Sequence, residues 1–233
     1  MSIRNIPIID GEFFHIYNRG NSKQIIFLDE EDYERFTKLI YLCNSEHNIN
    51  FRNDIVRKHI YALDFERGNL IVYIGAWVLM PNHFHIYISS PRQGPGELGG
   101  DELSIANITK FMLKLSTSYS MYFNRKYKRT GKLFEDKFKS VHISDEIQAK
   151  YLFSYIHLNP IKLILPKWKE EGIKYQEQAI SFLDSYKWSS YHEYSGIIRP
   201  ESKIISRENF LDYFPDTKSF KKEIFEWMRL GNA

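Results

Sequence analysis

The chain has 233 residues, of which 43% are hydrophobic and 16% aromatic, and it carries a formal net charge of +3 with a pI near 8.7. This composition supports a sizeable core in one large domain, or in one domain with an extension. The single cysteine, Cys43, excludes an internal disulfide and a cysteine-based zinc site, and the absence of a membrane-length apolar run or a signal core makes cytoplasm the expected compartment.

The spacing of apolar residues predicts a strand, a helix and two further strands in the first half of the chain. The strands are predicted at 11–18, 70–79 and 83–89, and the helix runs from a cap at Asp29 to about residue 47. Residues 51–67 show no clear period and are interpreted as a loop or a short helix. The last two strands flank the turn-like segment 80–82 and are expected to pair antiparallel.

The second half of the chain is predicted to be mainly helical. Its predicted elements are a loop at 90–101, a helix at about 103–126, strands over 133–143, a helix at about 145–158, a mixed segment at 161–195, and one or two amphipathic helices over 206–230. Pro160 is expected to end the helix that precedes it. This order of elements predicts an α+β fold, with helices packed on one face of an antiparallel sheet.

Two histidines lie within a strand-like apolar run that extends from Val78 to Ile88. Because side chains alternate along a strand, His83 and His85 are expected on one face of the sheet and Phe84 in the core on the other. Two neighbouring imidazoles can bind one metal ion. The alternative is a pair of ordinary surface or core histidines.

A second group of candidate residues closes the helix predicted at 145–158. Tyr155 and Asn159 are four residues apart and therefore lie on the same helical face, whereas Leu152 and Ile156 are expected to face the core. A tyrosine can serve as a nucleophile, but near a helix end it commonly packs with its hydroxyl in water. An asparagine that precedes a proline is commonly a turn residue.

In their residues and their order, these motifs resemble those of the REP-associated tyrosine transposases, which are single-tyrosine HUH transposases that act on single-stranded DNA. The resemblance covers roughly residues 8–195. The motifs that carry it are Phe-His-Ile-Tyr-Asn-Arg-Gly (14–20), Met-Pro-Asn-His-Phe-His (80–85), Tyr-Ile-His-Leu-Asn-Pro (155–160) and Trp-Ser-Ser-Tyr (188–191). It implies a ferredoxin/RRM-like HUH core with the nucleophile on a helix.

The resemblance also implies roles for individual residues. His83 and His85 match metal ligands, Tyr155 matches the nucleophile, and Asn159 matches a third ligand position where relatives carry glutamine. The implied cofactor is a divalent metal, Mg²⁺ or Mn²⁺, and the implied product is a 5′-phosphotyrosine with a free 3′-OH. His157 points to a different face of the helix, so we expect a structural or DNA-facing role for it.

A basic segment interleaved with aromatic residues follows the helix predicted at 103–126. Its cations are Arg125, Lys126, Lys128, Arg129, Lys132, Lys137 and Lys139. Such a stretch is often only a solvated face, but basic and aromatic residues together also bind phosphates and stack on bases. Beside the other motifs it predicts a DNA-binding surface.

These observations divide the chain into three parts and favour one function. We expect a catalytic domain at 8–165, an extension with the Trp-Ser-Ser-Tyr motif at 166–195, and a helical segment of unknown role at 196–233. The predicted function is that of a transposase-type, metal-dependent endonuclease and strand transferase on single-stranded or hairpin DNA, as a monomer or homodimer without membrane attachment. The alternatives are a domesticated hairpin-binding protein, a replication or plasmid-transfer initiator, which lacks support from a P-loop, and a plain two-histidine metal hydrolase.

Overall fold

A four-stranded antiparallel sheet forms the centre of the protein in a computed structural model, which describes residues 7–92, 106–173, 176–214 and 216–230. The strands, in the spatial order β2-β3-β1-β4, are β1 Phe13–Arg19, β2 Tyr73–Met80, β3 His83–Ser89 and β4 Lys139–Ile143. Every neighbouring pair is antiparallel. The predicted α+β fold with an antiparallel sheet is confirmed.

Helices connect and cover these strands. They are α1 Glu30–Cys43, α2 Asn107–Lys126, α3 Glu146–Leu158, α4 Trp168–Glu171, α5 Gln176–Ser185, α6 Tyr191–Tyr194 and α7 Thr217–Leu230. The predicted cap is confirmed, because Asp29 Oδ1 accepts a hydrogen bond of 3.1 Å from the Asp32 amide. None of the helices in the described ranges has both the length and the apolar character needed to cross a membrane.

The sequence prediction placed the end of α1 too late, at about residue 47. Asn44 ends the helix because its side chain pairs with the segment leading into β2. Its Oδ1 accepts hydrogen bonds from the amides of Ile71 and Val72, and its Nδ2 donates one to the Val72 carbonyl. This pairing is distant in sequence, so helix periodicity carries no sign of it.

The strands predicted over 133–143 are also shorter than expected, because only 139–143 form a strand. Leu133 and Phe134 turn into the core instead, and Phe134 makes a single bridge with Gly20. The predicted loop at 90–101 and the predicted start of the next helix at about 103 fall mostly on 93–105, which lie outside the described residues.

Helices cover both faces of the sheet, which corrects the prediction of a single covered face. One apolar cluster joins strand residues such as Phe84 and Ile86 to α1 and α2, and the other joins Val78 and Tyr87 to α3 and the later helices. The signal for this lies in β2, whose residues are buried on both sides after the first. A strand that is buried on both faces reads as a continuous apolar run.

The C-terminal segment packs back onto the domain, as expected for a short amphipathic tail. Phe220, Ile224 and Met228 of α7 are buried in the second cluster. Phe210 lies against the backbone of Gly75, where an added Cβ would come within 2.8 Å of its ring. A side chain at position 75 of β2 would collide with this ring, so the close approach requires glycine.

The Trp-Ser-Ser-Tyr motif extends the sheet edge at β2. The Leu79 amide donates to the Trp188 carbonyl and the Ser190 amide donates to the Trp77 carbonyl, both at 2.9 Å. Ser190 Oγ accepts a hydrogen bond from the Trp77 amide at 2.9 Å and lies 2.7 Å from Nε2 of the fully buried His157. The role of His157 is therefore structural.

Replacing Ser190 with alanine is expected to lower the free energy of unfolding by about 1–3 kcal/mol, because it removes a side-chain partner from the buried Trp77 amide and from His157. Urea unfolding measures the change. Ser154→Ala is the matched control, since Ser154 Oγ is also buried but has no hydrogen-bond partner among the described residues. An equal decrease in the free energy of unfolding in both variants would show that the hydrogen bonds of the Ser190 hydroxyl do not stabilise the protein.

Candidate active site

A cleft of about 320 Å³ opens where β1, β3 and α3 come together. It is lined by Tyr17, Asn18, Arg19, Asn82, His83, His85, Glu135, Lys139 and Tyr155. The strand register puts Tyr17 opposite His85 and Arg19 opposite His83, so these side chains share one face of the sheet. Three predicted site residues from distant parts of the chain, His83, His85 and Tyr155, thus meet in one cleft.

The hydrogen bonds of Asn82 fix the tautomer of His83. Asn82 Nδ2 donates to the Lys23 carbonyl at 3.1 Å, so Asn82 Oδ1 is the atom that faces His83 Nδ1 at 2.6 Å. That oxygen can only accept, which places the proton of a neutral His83 on Nδ1. Nε2 is then the ring nitrogen with an available lone pair, as a metal ligand requires.

His85 is paired with a second histidine that the sequence did not place in the site. His15 Nε2 lies 2.8 Å from His85 Nδ1, and the two rings stack at 27° with centroids 5.0 Å apart. The other strand histidine, His142, lies elsewhere, hydrogen-bonded to Glu12 at 3.1 Å and packed beside Phe14. The sequence signals for His15 were the alternation of β1 side chains and its place in the motif at 14–20.

His15 and the two histidines that line the cleft, His83 and His85, are neutral at physiological pH. Burial lowers the pKa of His15 and of His83 to about 4, and the charges of Lys162 and Arg19 add to the effect on His83. Burial lowers the pKa of His85 still more clearly, with smaller contributions from His15, His83 and Lys162. Neutral imidazoles retain the lone pairs that bind metal ions.

Tyr155 lies across the cleft from these histidines. Its ring centroid is 5.4 Å from that of His85 in an edge-to-face arrangement. Leu152 and Ile156 of α3 are buried in the second apolar cluster as predicted, and this holds the helix that carries Tyr155 against the sheet. Burial raises the pKa of the Tyr155 phenol, and the nearby Asn159 side chain partly offsets that rise.

Asn159 begins the 3-10 turn Asn159–Leu163 that follows α3. Its side chain is 1% exposed and is not among the residues that line the cleft. Neither its oxygen nor its nitrogen has a well-formed hydrogen bond to another described residue, although the amide is close enough to Tyr155 to lower the pKa of that phenol. A buried amide without such partners costs about 1–3 kcal/mol, which marks a position that a ligand can satisfy.

The donor atoms fit a divalent metal only if an amide oxygen takes part. Within the described ranges, no three His, Cys, Asp or Glu side chains are grouped so that they could hold a metal ion. His83 and His85 supply two imidazoles, and the buried Asn159 Oδ1 is an oxygen donor of the type that Mg²⁺ and Mn²⁺ accept. This donor set fits the implied cofactor.

Lys162 is a candidate functional residue that the sequence analysis missed. Its Nζ lies 5.4 Å from the centroid of the Tyr155 ring, and its charge lowers the pKa of both His83 and His85. Pro160 ends α3, but the chain continues as a 3-10 turn, so Lys162 stays beside the helix face of Tyr155. The sequence signal for Lys162 was its position about two helical turns after Tyr155.

The predicted DNA-binding cations are placed differently from one another. Lys139 lines the cleft, and Arg125, Lys128, Lys132 and Lys137 are exposed. Arg129 is half-buried, with its guanidinium 5.5 Å from the centroid of the Phe123 ring.

Lys126 differs from the other cations in its contacts. Its ammonium lies 2.7 Å from Asp29, 3.0 Å from Glu31 and 3.0 Å from the fully buried Asp32. These ion pairs join the end of α2 to the start of α1. The charge of Lys126 is thus compensated by carboxylates of the protein itself.

No family model and no curated protein matches the chain. Among solved structures, the chain is similar to a REP-associated tyrosine transposase bound to a REP hairpin, with 14% sequence identity, coverage of 86% of this chain and 90% of that chain, and a TM-score of 0.47. The family of this structural neighbour is the one that the ordered motifs resemble. Similarity at this level does not show which reaction this chain catalyses.

Proposed function

We propose that this protein is a metal-dependent endonuclease and strand transferase that cleaves and rejoins single-stranded, hairpin-forming DNA through Tyr155. The observation that carries the proposal is the meeting of the Tyr155 phenol with the neutral His83 and His85 pair in one cleft. A nucleophile next to a pair of metal ligands provides the catalytic groups needed for metal-assisted attack on a phosphodiester. The ordered motifs add the expectation of a hairpin substrate.

In the proposed reaction, Tyr155 Oη forms a bond to the scissile phosphorus while the bond from phosphorus to the 3′ oxygen breaks. The phenolic proton is lost to solvent, and the departing 3′ oxygen takes up a proton to become a 3′-OH. The 5′ phosphate is then linked to Tyr155. Attack by another 3′-OH reverses these steps and rejoins the DNA, so the phosphodiester energy is conserved.

The metal site is part of the same proposal. His83 and His85 would hold a divalent metal, Mg²⁺ or Mn²⁺, through their Nε2 atoms, and Asn159 Oδ1 would be the third protein ligand. When bound, such an ion polarises the scissile phosphate and neutralises developing charge. The hydrogen bonds at the two Nδ1 atoms hold the imidazoles in place, and their burial keeps them neutral.

A labelled hairpin with a single-stranded flank tests the proposal directly. After incubation with Mn²⁺, a label at the 3′ end should migrate with the protein on a denaturing gel, because the 5′ phosphate of the 3′ fragment becomes attached. A label at the 5′ end should instead appear on a shorter strand whose 3′-OH a polymerase extends. Tight hairpin binding without cleavage would favour the binding-protein alternative, and cleavage without a protein link would favour a hydrolase.

Lys162→Met is expected to slow adduct formation by about tenfold or more. The ammonium is close enough to Tyr155 and the histidines to stabilise charge that develops on the phosphate or the phenol, and fixed charges of this kind contribute most in a partly buried site. Single-turnover rates at saturating Mn²⁺ measure the change. Lys167→Met is the control, since Lys167 is 71% exposed and pairs with Glu171. Equal rates for both variants and the wild type would remove Lys162 from the mechanism.

We further propose that the DNA contacts the exposed cations of this segment, of which Lys139 lines the cleft, and that Lys126 is excluded by its ion pairs. The exposed cations are Arg125, Lys128, Lys132, Lys137 and Lys139. Replacing Lys132 or Lys137 with glutamine is expected to weaken hairpin binding and to reduce the slope of log affinity against log salt by about one unit each. Fluorescence anisotropy over a salt series measures this. Lys58→Gln, which changes a cation paired with Asp54 before β2, should leave the slope unchanged. The same slope in all three variants would place the DNA elsewhere.

A further inference from the structure

We propose that His15 is a positioning residue that sets the tautomer of His85 and thereby presents His85 Nε2 to the metal. The inference rests on the proposed function, because it concerns the metal site described there. It goes further in assigning a role to a residue outside the expected ligand set. The observation behind it is the contact of 2.8 Å between His15 Nε2 and His85 Nδ1.

Only one proton can lie between these two nitrogen atoms, so the hydrogen bond has two possible directions. If His85 Nδ1 donates, a neutral His85 has an unprotonated Nε2 that can bind a metal. If His15 Nε2 donates, the proton of neutral His85 is on Nε2 and blocks that atom as a ligand. Metal binding is therefore compatible only with donation from His85 to His15.

The surroundings favour a supporting role for His15 over a role as a ligand. Its Nε2 is occupied by the bond to His85, and the histidines do not form a three-ligand set with other His, Cys, Asp or Glu residues of the described ranges. The neighbouring ligand shows the same arrangement, since Asn82 Oδ1 holds His83 Nδ1. Ligating histidines typically have such an acceptor at the second ring nitrogen.

Burial and ring packing hold this pair in place. The side chain of His85 is 6% exposed, and the His15 ring stacks on it while also lying 5.0 Å from the Tyr17 ring and 6.2 Å from the Tyr155 ring. His15 itself is half-buried, and its ring fills the space beside His85 Nδ1 that water would otherwise occupy. Loss of the acceptor should leave the orientation and tautomer of His85 undetermined.

Two substitutions separate the acceptor from the ring. His15→Phe keeps an aromatic ring but has no acceptor, whereas His15→Gln places an amide oxygen near the position of Nε2. We expect Mn²⁺ affinity, measured from the electron paramagnetic resonance signal of free Mn²⁺, to fall roughly ten- to hundredfold in His15→Phe. It should stay close to the wild-type value in His15→Gln and in His142→Phe, which makes the same change at a strand histidine outside the cleft.

The outcomes separate this inference from the proposed function. Unchanged Mn²⁺ affinity in a folded His15→Phe variant would overturn the role of His15, while adduct formation by the wild type would leave the proposed function standing. Wild-type affinity no tighter than that of His83→Ala would instead count against the metal site itself.

A measurement on the wild type covers the case in which His15→Phe does not fold. In ¹⁵N NMR spectra recorded with saturating Mg²⁺, the inference requires a proton on His85 Nδ1 and none on His15 Nε2. The reverse assignment would overturn it.

Discussion

Replacing Tyr155 with phenylalanine is expected to abolish the covalent protein–DNA adduct. The substitution removes only the hydroxyl, so the edge-to-face contact with His85 and the stacking with Tyr151 should persist and the protein should fold normally. Removing the nucleophile of a covalent mechanism typically lowers the rate by a factor on the order of 10⁶, which places the product below detection. Denaturing gels with the hairpin labelled at its 3′ end measure adduct formation.

The cleft itself provides a stringent control for this result. Tyr17 also lines it, and its ring centroid lies 5.6 Å from that of His85, almost the same separation as the 5.4 Å for Tyr155. The two phenols differ in their neighbouring side chains, because Tyr155 lies next to Asn159 and Lys162. We expect Tyr17→Phe to retain the adduct. An adduct that survives in Tyr155→Phe and disappears in Tyr17→Phe would transfer the nucleophile to β1.

Replacing His83 with alanine is expected to remove Mn²⁺ binding and to lower the rate of adduct formation by roughly 10²–10³-fold. The magnitude follows from the several kcal/mol that a bound cation contributes to charge stabilisation at phosphorus. Hairpin binding should be largely retained, because the exposed cations that we propose to contact DNA are unchanged. Titration of Mn²⁺, hairpin anisotropy and single-turnover cleavage measure the three properties separately.

His142→Ala provides the comparison, since it removes a strand histidine that is bonded to Glu12 outside the cleft. It should preserve metal binding and cleavage. The metal-site proposal would be wrong if the wild type cleaved equally well in excess EDTA, or if His83→Ala cleaved as fast as the wild type at every Mn²⁺ concentration. Loss of folding in His83→Ala would appear in the anisotropy measurement as loss of hairpin binding.

Local patterns were sufficient for most of the secondary structure. The alternation from Val78 to Ile88 correctly separated the face of His83 and His85 from that of Phe84. The period of α3 correctly placed Leu152 and Ile156 in the core. These predictions succeeded because side-chain direction along a strand or a helix is fixed by backbone geometry alone.

The predicted end of α1 was wrong because a distant segment competes for the groups at the helix end. Asn44 ends α1 because its amide pairs with Val72, and the ion pairs of Lys126 with Asp29 and Asp32 are likewise formed with a distant segment. Neither partner is close in sequence to the residue that it changes. The composition indicated a basic stretch but did not show which of its cations forms ion pairs within the protein.

The sequence by itself determined the sheet and helix types, the face that carries His83 and His85, and the face that carries Tyr155. Only the tertiary structure decided that these faces meet, that His15 and Lys162 join them, and that Asn159 is buried behind the cleft. The physical reason is that direction within one element follows from local backbone geometry, whereas contact between elements depends on strand order and packing across the whole chain.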